Sequence, residues 1–191
     1  MERTTIYFVR HAHSAYSQDE AGRPLSEKGI KDAERITHLL KHAAIDKVIS
    51  SPYKRAVQTV EGIAAHFQLE IEIMDDLKER KLSEYPVPEF FEAMNRVWSN
   101  PYLALEGGES NKSAQNRGIK AIKYILEKYS GQNIVIGTHG NIMVLIMNYF
   151  DPCYNYDFWS ALSMPDIYQL TFVNNEFIQA QRLDEFSIIK D

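Results

Sequence analysis

The chain has 191 residues, a formal net charge of −5, and 45% hydrophobic and 25% charged residues. That length suits one folding unit burying about 70% of the surface it exposes when unfolded, and the acidic balance argues against a nucleic-acid surface, which would carry a basic patch. No apolar run reaches membrane-span length, no signal-like apolar region opens the chain, and the single cysteine, Cys153, allows no intramolecular disulfide, so the expectation is a cytoplasmic protein.

Ile6-Tyr7-Phe8-Val9 is a dense apolar run rich in β-branched and aromatic residues, the pattern of a strand buried on both faces. A polar loop from Ser17 to Pro24 follows. In "LSEKGIKDAERITHLLKHA", Ile30, Ala33, Ile36, Leu39 and Leu40 fall on one helical face, with Ser26 as N-cap. Lys47 to Ser50 is a second strand, and "SPYKRAVQTVEGIAAHF" a second helix with Ser51 as N-cap and Pro52 in its first turn. Glu70 to Met74 is a third strand. Residues 80–111 are less regular and hold a short helix from about Glu89 to Val97; they are expected to form a cap-like insertion. Asn111 to Tyr129 is a helix, Asn133 to Gly137 a strand and Asn141 to Tyr149 a helix. From Ile167 to Leu183 the chain reads as a hairpin turning at Asn174-Asn175.

Strands alternating with helices predict an α/β fold: a three-layer sandwich, with a mostly parallel sheet and helices on both faces, in one domain over 1–191. In such folds ligands bind beyond the carboxyl ends of the strands. Here one strand end delivers Arg10 and His11, another His139, and a third Ser51 and then Arg55. Adjacent strands lie about 4.8 Å apart, so these groups can share one pocket. Two arginines and two histidines beside helix N-termini form a phosphate receptor, because guanidinium binds phosphate through two hydrogen bonds. His38, His42 and His66 lie on helices away from the strand ends and read as ordinary surface residues. A competing layout is a metal-dependent hydrolase using the His11-x-His13 pair, two imidazoles on one strand face. Few further ligands accompany that pair, and Arg10 would repel a cation.

Four blocks, in order, carry a resemblance to a known family. They are "RHAHS" from Arg10, "LSEKGIKDA" from Leu25, "SSPYKRAVQT" from Ser50 and "GTHGN" from Gly137; "LKER" from Leu77 and "GGES" from Gly107 lie between them. Together they resemble the histidine phosphatase superfamily, the group that includes the phosphoglycerate mutases, over nearly the whole chain. The resemblance implies a phosphoglycerate mutase-like fold and a phosphomonoesterase working through a phosphohistidine, with no metal and no cofactor. His11 is then the nucleophile, and Arg10, Arg55 and His139 hold the phosphoryl oxygens, His139 also serving in catalysis. Glu79 is the general acid and base; Ser17 and Gly140 join the phosphate site. The sequence departs from the family pattern at Ala12, at His13 and after Glu79, and His13 is read as a titratable modulator beside the pocket.

The insertion is short, its only cations are Arg80, Lys81 and Arg96, and its Phe90, Phe91, Trp98 and Tyr102 suit an aromatic pocket wall. A small phosphorylated metabolite is therefore the expected partner, ahead of mutase-type transfer within an enclosed site. A catalytically weak member that only binds a phosphorylated ligand is the other alternative. No nucleic-acid or membrane partner is expected. The aromatic stretch Tyr149 to Trp159 reads either as core packing or as a homodimer contact.

Overall fold

The computed structural model describes residues 2–184; Met1 and residues 185–191, the ends of the expected 1–191 domain, lie outside the described residues. In chain order the elements are β1 (Arg3–Arg10), α1 (Glu27–Leu40), β2 (Lys47–Ser50), α2 (Lys54–Phe67), β3 (Ile71–Ile73), a 3-10 turn (Asp75–Leu77), α3 (Phe90–Ser99), α4 (Asn111–Lys128), β4 (Asn133–Thr138), α5 (Gly140–Phe150), α6 (Tyr156–Ser160), β5 (Asp166–Val173) and β6 (Glu176–Arg182).

All six strands form one sheet in the order β3-β2-β4-β1-β5-β6. The first four run parallel, while β5 and β6 add an antiparallel edge. The alternation of side chains along β1 sorts its apolar run onto two cores. Ile6 and Phe8 pack with Ile122 and Ile125 of α4 and Met143 of α5. Tyr7 and Val9 pack with Ile36 and Leu40 of α1 and Val60 and Ile63 of α2. In β4, Ile134 and Ile136 take the first core and Val135 the second. A strand sandwiched in this way cannot carry a polar face, which is why the run reads as continuous rather than alternating. Each fully buried Ile contributes about 1.5–3 kcal/mol of transfer free energy.

Local signals set most boundaries. Ser26 accepts the Gly29 N–H and caps α1; Ser110 accepts the Ser113 N–H and caps α4. Asn174 and Asn175 both take positive φ, 50° and 66°, the tight turn that joins β5 to β6. Two expectations need correction. Ile30 lies on the solvent side of α1, 49% exposed, and its place in the core face goes to Asp32, which pairs with Lys28. The α2 helix starts at Lys54 with extended Tyr53 as N-cap; the Ser51 hydroxyl lies 2.7 Å from His139 Nε2 and accepts the Tyr53 N–H at 3.3 Å, ahead of the helix. A short helix, α6, lies within the aromatic stretch; Phe150, Tyr154 and Phe158 pack half-buried on the main core, while Tyr149 is exposed.

Among the described residues no helix is long and apolar enough to cross a membrane.

Candidate active site

The register of the central strands brings the site residues together. Arg10 of β1 lies opposite Thr138 of β4, so the next residue of each chain segment, His11 and the residue after Thr138, His139, leave adjacent carboxyl ends. The His11 N–H donates to the Thr138 carbonyl at 2.9 Å, extending the ladder one step into the site. The two imidazoles meet edge to face with ring centroids 5.1 Å apart. Arg55 enters from the first turn of α2, whose parent strand β2 pairs with β4 on its other side.

His11 is held at both ring nitrogens. Its Nδ1 lies 2.8 Å from the Ala12 carbonyl, which can only accept, so Nδ1 carries the proton. Nε2 is therefore the bare nitrogen, and it accepts a hydrogen bond from Arg55 Nε at 3.1 Å. Burial, reinforced by Arg55, Arg10 and Arg23, lowers the His11 pKa from 6.5 to about 3, against a smaller upward pull from the Ala12 carbonyl. His139, fully buried, lies well below the ordinary value because of burial first and then the nearby His11 and arginines. Both histidines are thus neutral at neutral pH. His139 Nε2 lies 2.7 Å from the Ser51 hydroxyl, and Tyr53 packs edge-on against its ring.

The arginines are fixed just as firmly. Arg55 is 2% exposed, and its guanidinium packs over the Tyr53 ring. Arg10 donates to the Leu162 and Ser163 carbonyls at 3.1 and 2.9 Å, in the segment between α6 and β5. Its guanidinium lies against Gly140, where a Cβ would come within 2.9 Å of Arg10 Nε, so a glycine is required there. Burial lowers the pKa of both Arg10 and Arg55, though both stay charged. Arg10 Nε and His139 Nδ1 are buried and hydrogen-bond to nothing among the described residues.

Glu79 sits at the amino end of α5, two residues beyond His139. One carboxylate oxygen accepts from Asn141 N at 3.0 Å; the other accepts from Ile142 N and its neighbour Arg80 N at 2.9 and 2.8 Å. A carboxylate at a helix N-terminus satisfies orphan donors and opposes the helix dipole. Asn141 in turn accepts from Trp98 Nε1 at 3.1 Å, tying the insertion helix α3 to this corner.

Arg10, His11, Arg55, His139, Gly140 and Glu79 are thus brought together. Ser17 and His13 are not tied to them. Ser17 accepts the Asp19 N–H inside its own loop. His13 is exposed and lies 2.8 Å from the Ser26 hydroxyl at the start of α1; β1 ends at Arg10, so the strand alternation behind the His11-x-His13 pairing does not reach these residues. Among the described residues no group of three or more metal-ligating side chains converges. In the insertion, Trp98 is partly buried, whereas Phe90, Phe91 and Tyr102 face solvent. Several partners were not singled out from sequence. Thr59 takes the Ala12 N–H and returns its own hydrogen to the Arg55 carbonyl, and Glu20 engages the Arg55 guanidinium. Thr59 lies one helical turn after Arg55, a spacing visible in sequence; Glu20 sits in a loop without periodicity and leaves no such signal.

Neutral histidines at adjacent strand ends, crossed by the buried Arg55 and the half-buried Arg10, form an α/β site able to hold a phosphoryl group against a bare imidazole nitrogen. The family profile described as "histidine phosphatase superfamily (branch 1)" matches residues 6–180, and the chain belongs to that superfamily. A phosphoglycerate mutase-like protein 4 of Arabidopsis thaliana is 30% identical over 155 residues, 72% of this chain and 67% of its own. Phosphoserine phosphatase 1 of Hydrogenobacter thermophilus is 29% identical over 147 residues, 70% of each chain. Among solved structures, a mycobacterial glucosyl-3-phosphoglycerate phosphatase superposes with a TM-score of 0.77 at 18% identity, covering 94% of this chain and 97% of that one. The phosphoglycerate mutase of Bacillus anthracis gives 0.75 at 16%, covering 95% and 92%. The fold is phosphoglycerate mutase-like, and the chain is a histidine-phosphatase-type hydrolase.

Proposed function

We propose that this protein is a phosphomonoesterase that cleaves a small phosphorylated metabolite through a phosphohistidine on His11. The observation that carries the reading is the fixed tautomer of His11, with Nδ1–H on the Ala12 carbonyl and a bare Nε2 facing Arg55. In the first step the Nε2 lone pair attacks phosphorus, the P–O ester bond breaks, and the leaving alkoxide takes a proton from Glu79. In the second, water attacks phosphorus, the P–N bond breaks, and Glu79 takes the proton, giving inorganic phosphate and the starting enzyme. Arg10, Arg55 and His139 stabilise the transferring group, with Gly140 N–H a further donor at the start of α5.

Hydrolysis is favoured over mutase-type transfer by the insertion itself. Arg80 is buried against Met94 instead of facing the site as a second phosphate anchor. The relatives named phosphoserine and glucosyl-3-phosphoglycerate phosphatase support a small-metabolite phosphomonoester as substrate. A cytoplasmic setting and a homodimer remain part of this reading, to be checked by fractionation and by light scattering. The decisive experiment is acid-stable versus acid-labile phosphoenzyme trapping with a chelator present. An acid-labile, base-stable label in the wild type that vanishes in His11→Ala is expected. Turnover without such a label, or turnover lost with chelator, overturns the mechanism.

A further inference from the structure

All three guanidinium nitrogens of Arg55 are hydrogen-bonded. Nε binds His11, Nη1 donates to the Glu20 carbonyl and Nη2 to the Glu20 carboxylate, the latter two at 2.7 Å each. Two oxygens of one residue thus occupy the fork of an arginine whose other side touches the bare nitrogen of His11. That is the acceptor pattern two oxygens of a phosphoryl group would present. The same carboxylate also engages Arg23, 3.3 Å from Nη1 and 3.4 Å from Nη2. Arg23 Nε is buried and hydrogen-bonds to nothing among the described residues. Arg23 also lies near enough to His11 and His139 to disfavour the charged form of both.

We propose that Glu20 is an internal phosphate surrogate, and that a phosphoryl group displaces it and takes over both Arg55 and Arg23. Arg23 then becomes a phosphate-binding residue alongside those already described. The inference rests on the phosphoryl-transfer reading of the pocket and extends it.

Three features suit Glu20 to leaving. Its side chain is 55% exposed, so a withdrawn carboxylate enters water without a desolvation cost. Its loop is anchored without it, by the Ser14–Leu25 bridge, by Ala15 N on the Pro24 carbonyl and by Lys54 N on the Ala21 carbonyl. Arg55, by contrast, is buried and must stay paired with an acceptor; exchange of carboxylate for phosphate keeps that pairing intact. The contact therefore keeps the nucleophile's arginine neutralised until a stronger, doubly charged ligand arrives.

The test uses Glu20→Gln and Glu20→Ala, with inorganic phosphate as the binding probe and p-nitrophenyl phosphate as substrate. A half-exposed ion pair is worth up to about 1 kcal/mol, or a factor of about five in a binding constant. Phosphate Kd is accordingly expected to fall by about threefold to fivefold in both variants, with a matching rise in kcat/KM. Arg23→Ala is expected to weaken phosphate binding more in the Glu20→Ala background than in the wild type. Unchanged or weaker phosphate binding in both Glu20 variants would mean that Glu20 merely positions Arg55, and the proposal fails. No added loss on removing Arg23 in the Glu20→Ala background would remove Arg23 from the phosphate site. Should Glu20→Ala lose cooperative unfolding, Glu20→Gln decides. Turnover with unchanged phosphate affinity in the variants sinks this inference alone. Phosphate binding without turnover in the wild type sinks the hydrolase reading alone. No phosphate binding in the wild type sinks both.

Discussion

The two halves of the pocket are built on different terms. Arg10, His11 and His139 emerge from strands buried on both faces and are positioned by the sheet ladder itself; His11 is 6% exposed and His139 fully buried. Ser17, Glu20 and Arg23 come from an irregular loop pinned to the rest of the molecule at a few backbone points. The first half sets the chemistry, because a bare imidazole nitrogen beside a guanidinium needs sub-ångström placement. The second half can exchange partners, because its groups keep access to water. A hydrolase that must admit and release an anion needs both kinds of ground.

Variants sharpen this contrast. His11→Ala is expected to reduce turnover of p-nitrophenyl phosphate by at least about a thousandfold, since it removes the proposed nucleophile; retained turnover would move the chemistry elsewhere. Arg55→Lys keeps a charge but loses the fork that spans His11 and the phosphoryl group. A drop of about 10²–10³ in kcat is expected, and a change confined to KM would show that Arg55 only binds. Glu79→Gln is expected to cost about 10²–10⁴ with poor alkyl leaving groups and far less with p-nitrophenol, a difference read directly from paired substrates; equal losses would reassign the acid.

The pH dependence of stability separates the halves without any substrate. His11, with its pKa lowered from 6.5 to about 3, and His139, lowered in the same direction, are neutral in the folded protein and take up protons more readily when unfolded. Their contribution is therefore fully present above pH 6.5 and lost as the pH falls from 6.5 towards 3. Melting temperature is expected to decline across that window, and less steeply in His11→Asn. A flat profile would contradict the burial argument. The smallest effect is expected on the loop side: Ser26→Ala removes the N-cap of α1 and the partner of His13, for about 1 kcal/mol in urea unfolding with kcat nearly unaltered.

Periodicity and turn chemistry made much of the fold legible before any coordinates. The two-sided burial of β1, the N-cap Ser26 and the Asn174-Asn175 turn are local signals, and each acts where it is written. The ordered blocks around Arg10, Arg55, Glu79 and His139 likewise pointed to one pocket, because strand-end residues inherit their positions from the sheet. Other features depend on which distant group arrives first. Ser51 reads as an N-cap from its local pattern alone, and nothing in that pattern shows that its hydroxyl also meets His139, 88 positions later. His13 reads as a pocket residue until the strand stops at Arg10 and leaves it on Ser26. Glu20 carries no pattern at all, and reaches Arg55 only because Lys54 binds the Ala21 carbonyl and sets the loop beside α2. The sequence by itself determined most of the elements, the two-sided burial of β1 and the gathering of the candidate site residues at the strand ends, since these follow from spacing along the chain. Only the tertiary structure decided which polar groups pair with which, because those choices turn on competition among donors and acceptors far apart in sequence.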